Sequence, residues 1–144
     1  MNILLDTCTI IYMLENSLDD TSWEKLYNAQ NKIFITNESI KEFVHLAQNE
    51  RIGYSEYVDA AAPLDIYALI ENTFSIKVIY TNKQHVKQMM KLPLVKDHND
   101  PIDRIIISIA ISENIAIMSS DKRFKDYISY GLQFIPCKRT NRNY

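Results

Sequence analysis

The chain has 144 residues, with 47% hydrophobic and 24% charged side chains and a formal net charge of -2. This length suits one domain of ordinary size, expected to span residues 1–144, and the 2 Gly and 4 Pro exclude collagen-like, low-complexity and glycine-rich phosphate-loop designs. The acidic total argues against a non-specific nucleic-acid coat, and no run reaches the roughly 18 uncharged apolar residues of a membrane helix.

Taken in chain order, Asn2–Leu5 is an apolar run stopped by Asp6 and reads as a buried strand. Residues 7–15 place Ile10, Ile11 and Leu14 at helical spacing, and after a polar loop Trp23, Leu26 and Tyr27 suggest a second helix. Ile33–Ile35 is a β-rich run, after which Asn37 is placed to cap a helix carrying Ile40, Phe43, Val44 and Ala47 and ending at Arg51–Gly53. Pro63 opens another helical segment with Ile66, Leu69 and Ile70. Lys77–Tyr80 reads as a strand and Asn82–Leu92 as a helix closed before Pro93. Pro101 suits a first helical position, followed by Ile102, Ile105, Ile106, Ile109 and Ala110 on one face, with Asn114 at the end. Ile115–Met118 is a strand, Lys122–Tyr127 a short helix and Leu132–Ile135 a last strand. Strands alternating with helices predict a parallel sheet covered on both faces, an α/β/α sandwich.

Charge and cysteine placement add two expectations. Residues 1–72 hold 4 basic and 12 acidic side chains, whereas residues 73–144 hold 12 basic and 6 acidic. Local contact with phosphates in the second half is therefore compatible with the acidic total, and so is a chance difference between solvated faces. Cys8 and Cys137 lie far apart in sequence, which predicts neither a disulfide framework nor a cysteine-based zinc site. The apolar start has no basic region before it, and Asp6 interrupts it, unlike a secretory signal; a cytoplasmic protein with reduced thiols is expected.

Four carboxylates occupy special places in this map. Asp6 ends the first strand and Asp121 follows a late one. Glu42 lies in the second turn of the helix after Ile33–Ile35, and Asp103 in the first turn of the helix leading into Ile115–Met118. In a parallel sheet all four then face the rim beyond the carboxyl ends of the strands. Each has a structural reading too: Asp100 caps a helix with Asp103 favouring its dipole, Asp6 ends a strand, Glu42 is solvated and Asp121 belongs to a turn. Their convergence favours function. Crowded carboxylates repel, and Mg²⁺ or Mn²⁺ relieves that while activating water for phosphodiester hydrolysis.

Four blocks carry a family resemblance: Ile3-Leu4-Leu5-Asp6-Thr7, Ser39-Ile40-Lys41-Glu42-Phe43, His98-Asn99-Asp100-Pro101-Ile102-Asp103-Arg104 and Ile117-Met118-Ser119-Ser120-Asp121-Lys122-Arg123-Phe124. In their order and spacing they resemble the PIN-domain nucleases, most closely the VapC-like toxins of bacterial toxin–antitoxin pairs. The resemblance implies a three-layer α/β/α sandwich and a Mg²⁺- or Mn²⁺-dependent ribonuclease. It implies Asp6, Asp103 and Asp121 as metal ligands, and Glu42 as the group that orients or deprotonates the attacking water or binds a second ion. Ser119 matches a supporting hydroxyl, and Asp100 a cap. Arg104, Lys122 and Arg123 are candidates for RNA phosphates or for solvated rim charges. Cys8 departs from the related toxins at what is expected to be a packing position. Residues 53–75 match no motif; they are expected to form a helical clip for homodimerisation and for a small antitoxin, with Tyr54, Tyr57 and Tyr67 as candidate contacts or as core.

Two other phosphoryl-transfer enzymes are disfavoured. A phosphatase of the haloacid dehalogenase type needs an acid where Cys8 stands, and a receiver domain needs one where Thr81-Asn82 follows the middle strand. The remaining alternative is a catalytically silent interaction module on the same fold, which would usually have lost one of the four acids.

Overall fold

The computed structural model describes residues 1–59 and 65–141. Pro63, expected to open a helix, lies outside the described residues. Five strands are present: β1 Asn2–Leu5, β2 Lys32–Thr36, β3 Lys77–Ile79, β4 Ala116–Ser119 and β5 Phe134–Pro136. The helices are α1 Thr7–Leu14, α2 Asp20–Tyr27, α3 Asn37–Gln48, α4 Ile66–Ala68, α5 Lys83–Lys91 and α6 Pro101–Glu113. A π turn at Leu69–Thr73 continues α4, and 3-10 turns lie at Ser55–Tyr57 and Lys122–Tyr130. No helix among the described residues is long and apolar enough to cross a membrane.

All strand pairs are parallel, in the order β3-β2-β1-β4-β5. The continuous apolar runs in β1 and β4 follow from burial on both faces, which parallel strands require. Strand alternation then divides the core. Ile3, Leu5, Ile35 and Met118 join Ile10 and Met13 of α1, Ile40 and Phe43 of α3, and Ile66 of α4 on one face. Leu4 and Ile117 join Ile105, Ile106 and Ile109 of α6 with Phe124 and Tyr127 on the other. This is the expected α/β/α arrangement around a parallel sheet.

The winding places the site. β1, β2 and β3 step outward in one direction, and β4 then returns to the free side of β1, with Leu5 paired to both Ile35 and Met118. The carboxyl ends of β1 and β4 therefore meet where the winding reverses, the position at which parallel sheets open a crevice. Asp6 N–H donates to the Met118 carbonyl at 3.1 Å and ties the two strand exits together. α6 starts at this edge, on the face of the sheet opposite α1 and α3, with Asp100 as its cap and Pro101 at its start, and runs away from it to Asn114, which lies in the left-handed region at its end.

Three expected boundaries are corrected. Thr36, not Asn37, caps α3: its hydroxyl accepts the Ser39 N–H, and Asn37 is the first helical residue, its side chain accepting from Thr81. The helix ends at Gln48, before Arg51–Gly53, because Glu50 turns to positive φ. The 3-10 turn after β4 extends to Tyr130 and closes on Gly131 at φ 103, which moves β5 to Phe134–Pro136 and leaves Leu132 as a buried approach residue. Pro136 is tolerated because β5 is an edge strand.

Tyr54 stacks on Phe43 with ring centres 6.2 Å apart and meets Tyr57, so both pack onto the core. Tyr67 is exposed.

Candidate functional site

Asp6 leaves β1 in an extended conformation and caps α1, its Oδ1 accepting the Thr7 N–H at 2.9 Å. Its Oδ2 accepts the Ser119 hydroxyl at 2.7 Å. The residue is buried, and burial, followed by the neighbouring Cys8 and Asp103, pushes its pKa well above the usual carboxylate range. Ser119, the last residue of β4, also accepts the Asp121 N–H at 3.0 Å. One hydroxyl thus joins the acid after β1 to the turn that carries the acid after β4.

Asp103 is the centre of the carboxylate group. Burial, the Asp100 charge and the Glu42 charge raise its pKa to about 6, against opposing contributions from His98. Its own charge raises Asp6 in turn. Glu42 of α3, Asp103 of α6 and Asp6 after β1 therefore lie within electrostatic reach of one another. Asp100 acts as expected, its Oδ1 accepting the N–H groups of Ile102 and Asp103 at 2.9 and 3.1 Å.

Asp121 behaves differently. Arg123 donates to both of its oxygens, at 3.1 and 2.8 Å, and this hydrogen-bonded pairing lowers its pKa. Donor atoms of His98, Asp103 and Asp121 all lie within 4.8 Å of one another. His98 was quoted in a motif by sequence reading but given no role; its place three residues before α6 was the available signal.

The basic candidates separate by direction. Arg104 is turned into the interior, where its guanidinium donates to the carbonyls of Pro93 (2.8 Å), Leu92 (2.9 Å) and Met89 (3.4 Å). It closes the C-terminal end of α5, whose last carbonyls lack helical partners. This structural task removes Arg104 from the candidate RNA contacts. Lys122 and Arg123 are exposed on the rim beside Asp121.

Cys8 is also corrected. Its Sγ is not confined to packing; it lies 3.6 Å from Asp6 Oδ2 and 3.6 Å from Ser119 Oγ, with the Ser120 hydroxyl at 3.4 Å. Hydrogen bonding with Cys137, aided by Ser120 and Ser119, lowers the Cys8 thiol to about 5 against its burial. Cys137 is pushed up by the same bond and by burial. The two cysteines are neighbours in space despite their separation in sequence, and both are free thiols.

The donor set fits a hard divalent cation. Carboxylate oxygens suit Mg²⁺ or Mn²⁺. Burial first, and neighbouring negative charge after it, disfavours the charged forms of Asp6 and Asp103, which a bound cation would favour. A hydroxyl next in sequence to Asp6, Thr7 Oγ1, is buried with no hydrogen-bond partner among the described residues.

Comparison with known proteins gives a consistent picture. The family model for the PIN domain matches residues 3–128. By structure the chain is similar to VapBC2 from Rickettsia felis, crystallised with a promoter DNA fragment, with TM-score 0.68 and 15% identity over 96% of this chain and 100% of that one. It is similar to VapBC-1 from nontypeable Haemophilus influenzae, with TM-score 0.67 and 19% identity over 94% and 98% of the two chains. DNA-bound VapBC from Salmonella typhimurium gives TM-score 0.65 and 18% identity over the same shares. No curated protein matches by sequence.

Proposed function

As the chain belongs to the PIN domain family, we propose that it is a metal-dependent endoribonuclease, the toxin of a toxin–antitoxin pair. What supports this reading is that Asp103 interacts electrostatically with Asp6 and Glu42 and has a carboxylate oxygen within 4.8 Å of one of Asp121, beside the reversal between β1 and β4. A structural carboxylate needs no such company, and burial beside like charges is costly without a cation.

Asp6, Asp103 and Asp121 would hold Mg²⁺ or Mn²⁺, which supplies Lewis acidity for hydrolysis of an RNA phosphodiester. Asp6 is fixed for this by the Ser119 hydroxyl and the Thr7 amide. Glu42 has no such restraint in the bonds of the site and is the group to accept a proton from attacking water. Lys122 and Arg123 supply positive charge where the RNA backbone enters. Transfer of Arg123 from Asp121 to a phosphate would open the third carboxylate at the moment substrate arrives.

In this reading one domain spans residues 1–144 and works in the cytoplasm. Its partners are RNA, a cognate antitoxin that covers the acidic crevice, and a second copy of the chain. The VapBC structures that share its fold support an antitoxin partner. Four intact acids favour this reading over a silent interaction module.

The deciding experiment is cleavage of RNA by the purified chain with Mn²⁺ or Mg²⁺, with excess chelator, and with the Asp103→Asn protein. Metal-dependent cleavage lost in the variant is expected. Cleavage that persists in chelator, or in Asp103→Asn, would overturn the assignment.

A further inference from the structure

His98 is a buried nitrogen base set among the carboxylates. Its residue is 2% exposed. The ring meets Phe124 and Tyr127 edge-on at 5.2 and 5.1 Å, and the Tyr127 hydroxyl donates to the His98 carbonyl. These contacts on both the ring and its backbone leave little freedom to turn.

The hydrogen bonds then determine which nitrogen carries hydrogen. Nδ1 lies 2.9 Å from the Arg123 carbonyl oxygen. A carbonyl accepts and never donates, so Nδ1 is the N–H. In the neutral ring the lone pair is on Nε2. That atom stands 3.3 Å from Asp103 Oδ2. The two atoms then face each other as acceptors, a contact that either a shared proton or a cation between them satisfies.

The spacing agrees. Donors on adjacent corners of an octahedral Mg²⁺ shell, each about 2.1 Å from the ion, stand about 3 Å apart. The Asp121 oxygen completes a triangle with all sides within 4.8 Å. An imidazole whose other N–H is given to a backbone carbonyl is also the arrangement by which proteins fix a histidine as a metal ligand.

We propose that His98 Nε2 is itself a ligand of the divalent cation, adding one nitrogen to the carboxylates of Asp6, Asp103 and Asp121. This rests on the metal-site reading above and goes beyond its all-carboxylate ligand set. A nitrogen donor shifts preference toward Mn²⁺ over Mg²⁺. It also couples the site to the Lys122–Tyr130 turn, since Arg123 supplies both the carbonyl that sets the ring and the guanidinium that occupies Asp121.

The test is pulsed electron paramagnetic resonance on the full chain loaded with Mn²⁺, with natural and with ¹⁵N-labelled histidine. A nitrogen coupling of directly bound strength is expected, changed by the label and lost in His98→Gln. It should persist in His45→Gln, whose exposed side chain lies on α3 bonded to Asn49. Calorimetry should show His98→Gln losing at least about tenfold in Mn²⁺ affinity and less in Mg²⁺ affinity. Bound Mn²⁺ without nitrogen coupling in the wild-type chain overturns the proposal and leaves the carboxylate site standing. No Mn²⁺ bound by the wild-type chain overturns the metal-site reading itself. Should His98→Gln fail to fold, the labelled wild-type spectrum decides alone.

Discussion

The Ser119 hydroxyl donates to Asp6 Oδ2 at 2.7 Å, although the two residues are 113 positions apart. Ser119 Oγ also accepts the Asp121 N–H, so the exits of β1 and β4 are held by one side chain. Ser119→Ala leaves Asp6 buried with one hydrogen bond fewer. A bond to a charged acceptor contributes about 1.5–3 kcal/mol, and a lost supporting bond at a metal site costs about 10–100-fold in affinity. The variant should remain folded, lose stability in urea by that amount, and bind Mn²⁺ correspondingly less well by calorimetry. Unchanged Mn²⁺ affinity would show that Ser119 supports the fold alone.

The protonation of the acids gives stability a defined pH dependence. Asp6 and Asp103 have raised pKa values in the folded chain, Asp103 at about 6 against an ordinary 3.8. Their protonated forms suit the metal-free fold, so the stability they contribute is full below about pH 4 and is lost as pH rises through 6. Asp121 and Asp19 are shifted down and act oppositely, losing their contribution only as the solution becomes strongly acidic. Between pH 5 and 7.5 the raised pair lowers stability as pH rises, whereas the Cys8 thiol, lowered to about 5, raises it. With Cys8 replaced by Ser, metal-free protein should be less stable to urea at pH 7.5 than at pH 5, and adding Asp103→Asn should recover about 1–2 kcal/mol of that difference after allowance for solvent screening. Mn²⁺ should stabilise the wild-type chain at pH 7.5, much less at pH 5, and the Asp103→Asn chain hardly at all. A metal-free Cys8→Ser stability that rises from pH 5 to 7.5 would contradict this account.

The helices, the strands and the rim were legible because each left a local mark. Asp100-Pro101 announced the start of α6 by cap and fixed φ, and the apolar runs of β1 and β4 announced strands buried on both faces. What was hidden depended on the third dimension. Nothing local separates Arg104, which spends its charge on the end of α5, from Arg123, which spends it on Asp121. Cys8 looked like a packing residue because its helix is apolar, yet the first turn of α1 carries it past Asp6 into the site. His98 was hidden for the same reason: its ring acquires meaning only when the Arg123 carbonyl and Asp103 bracket it. The cap of α3 was missed by one residue because Thr36 and Asn37 are both good caps, and Thr81 draws the Asn37 side chain away.

The two arginines should therefore fail in different ways. Arg104→Met removes the side-chain donor from the Leu92 and Pro93 carbonyls, the first of these bonds buried, while the Met89 carbonyl keeps the Leu92 N–H, and should cost about 3 kcal/mol in urea denaturation. Its folded fraction should bind RNA with unchanged salt dependence. Arg123→Gln should leave the urea midpoint in place, because its side chain is exposed. It should release Asp121, tighten Mn²⁺ binding, and lower the slope of log affinity for RNA against log salt by about 1. RNA binding is best read on the Asp103→Asn background, where the substrate stays intact. Equal salt slopes for wild-type and Arg123→Gln chains would remove Arg123 from the RNA contacts.

Cys8 offers a chemical probe of the site. It is half-buried, while Cys137 is buried. The Cys8 thiol is lowered to about 5, first by hydrogen bonding with Cys137, so it is ionised throughout the neutral range. Alkylation follows the thiolate, and an ordinary thiol near pH 8.5 slows about tenfold for each pH unit of acidification. Iodoacetamide should thus modify Cys8 at a rate nearly constant from pH 8 to pH 6, with Cys137 reacting only after unfolding. Peptide mass spectrometry should find one adduct per native chain and none in Cys8→Ser. With Sγ 3.6 Å from Asp6 Oδ2, that adduct should also abolish Mn²⁺ binding. A tenfold fall in rate per pH unit would return Cys8 to the behaviour of an ordinary thiol, and an adduct that leaves Mn²⁺ affinity unchanged would move the ion away from Asp6.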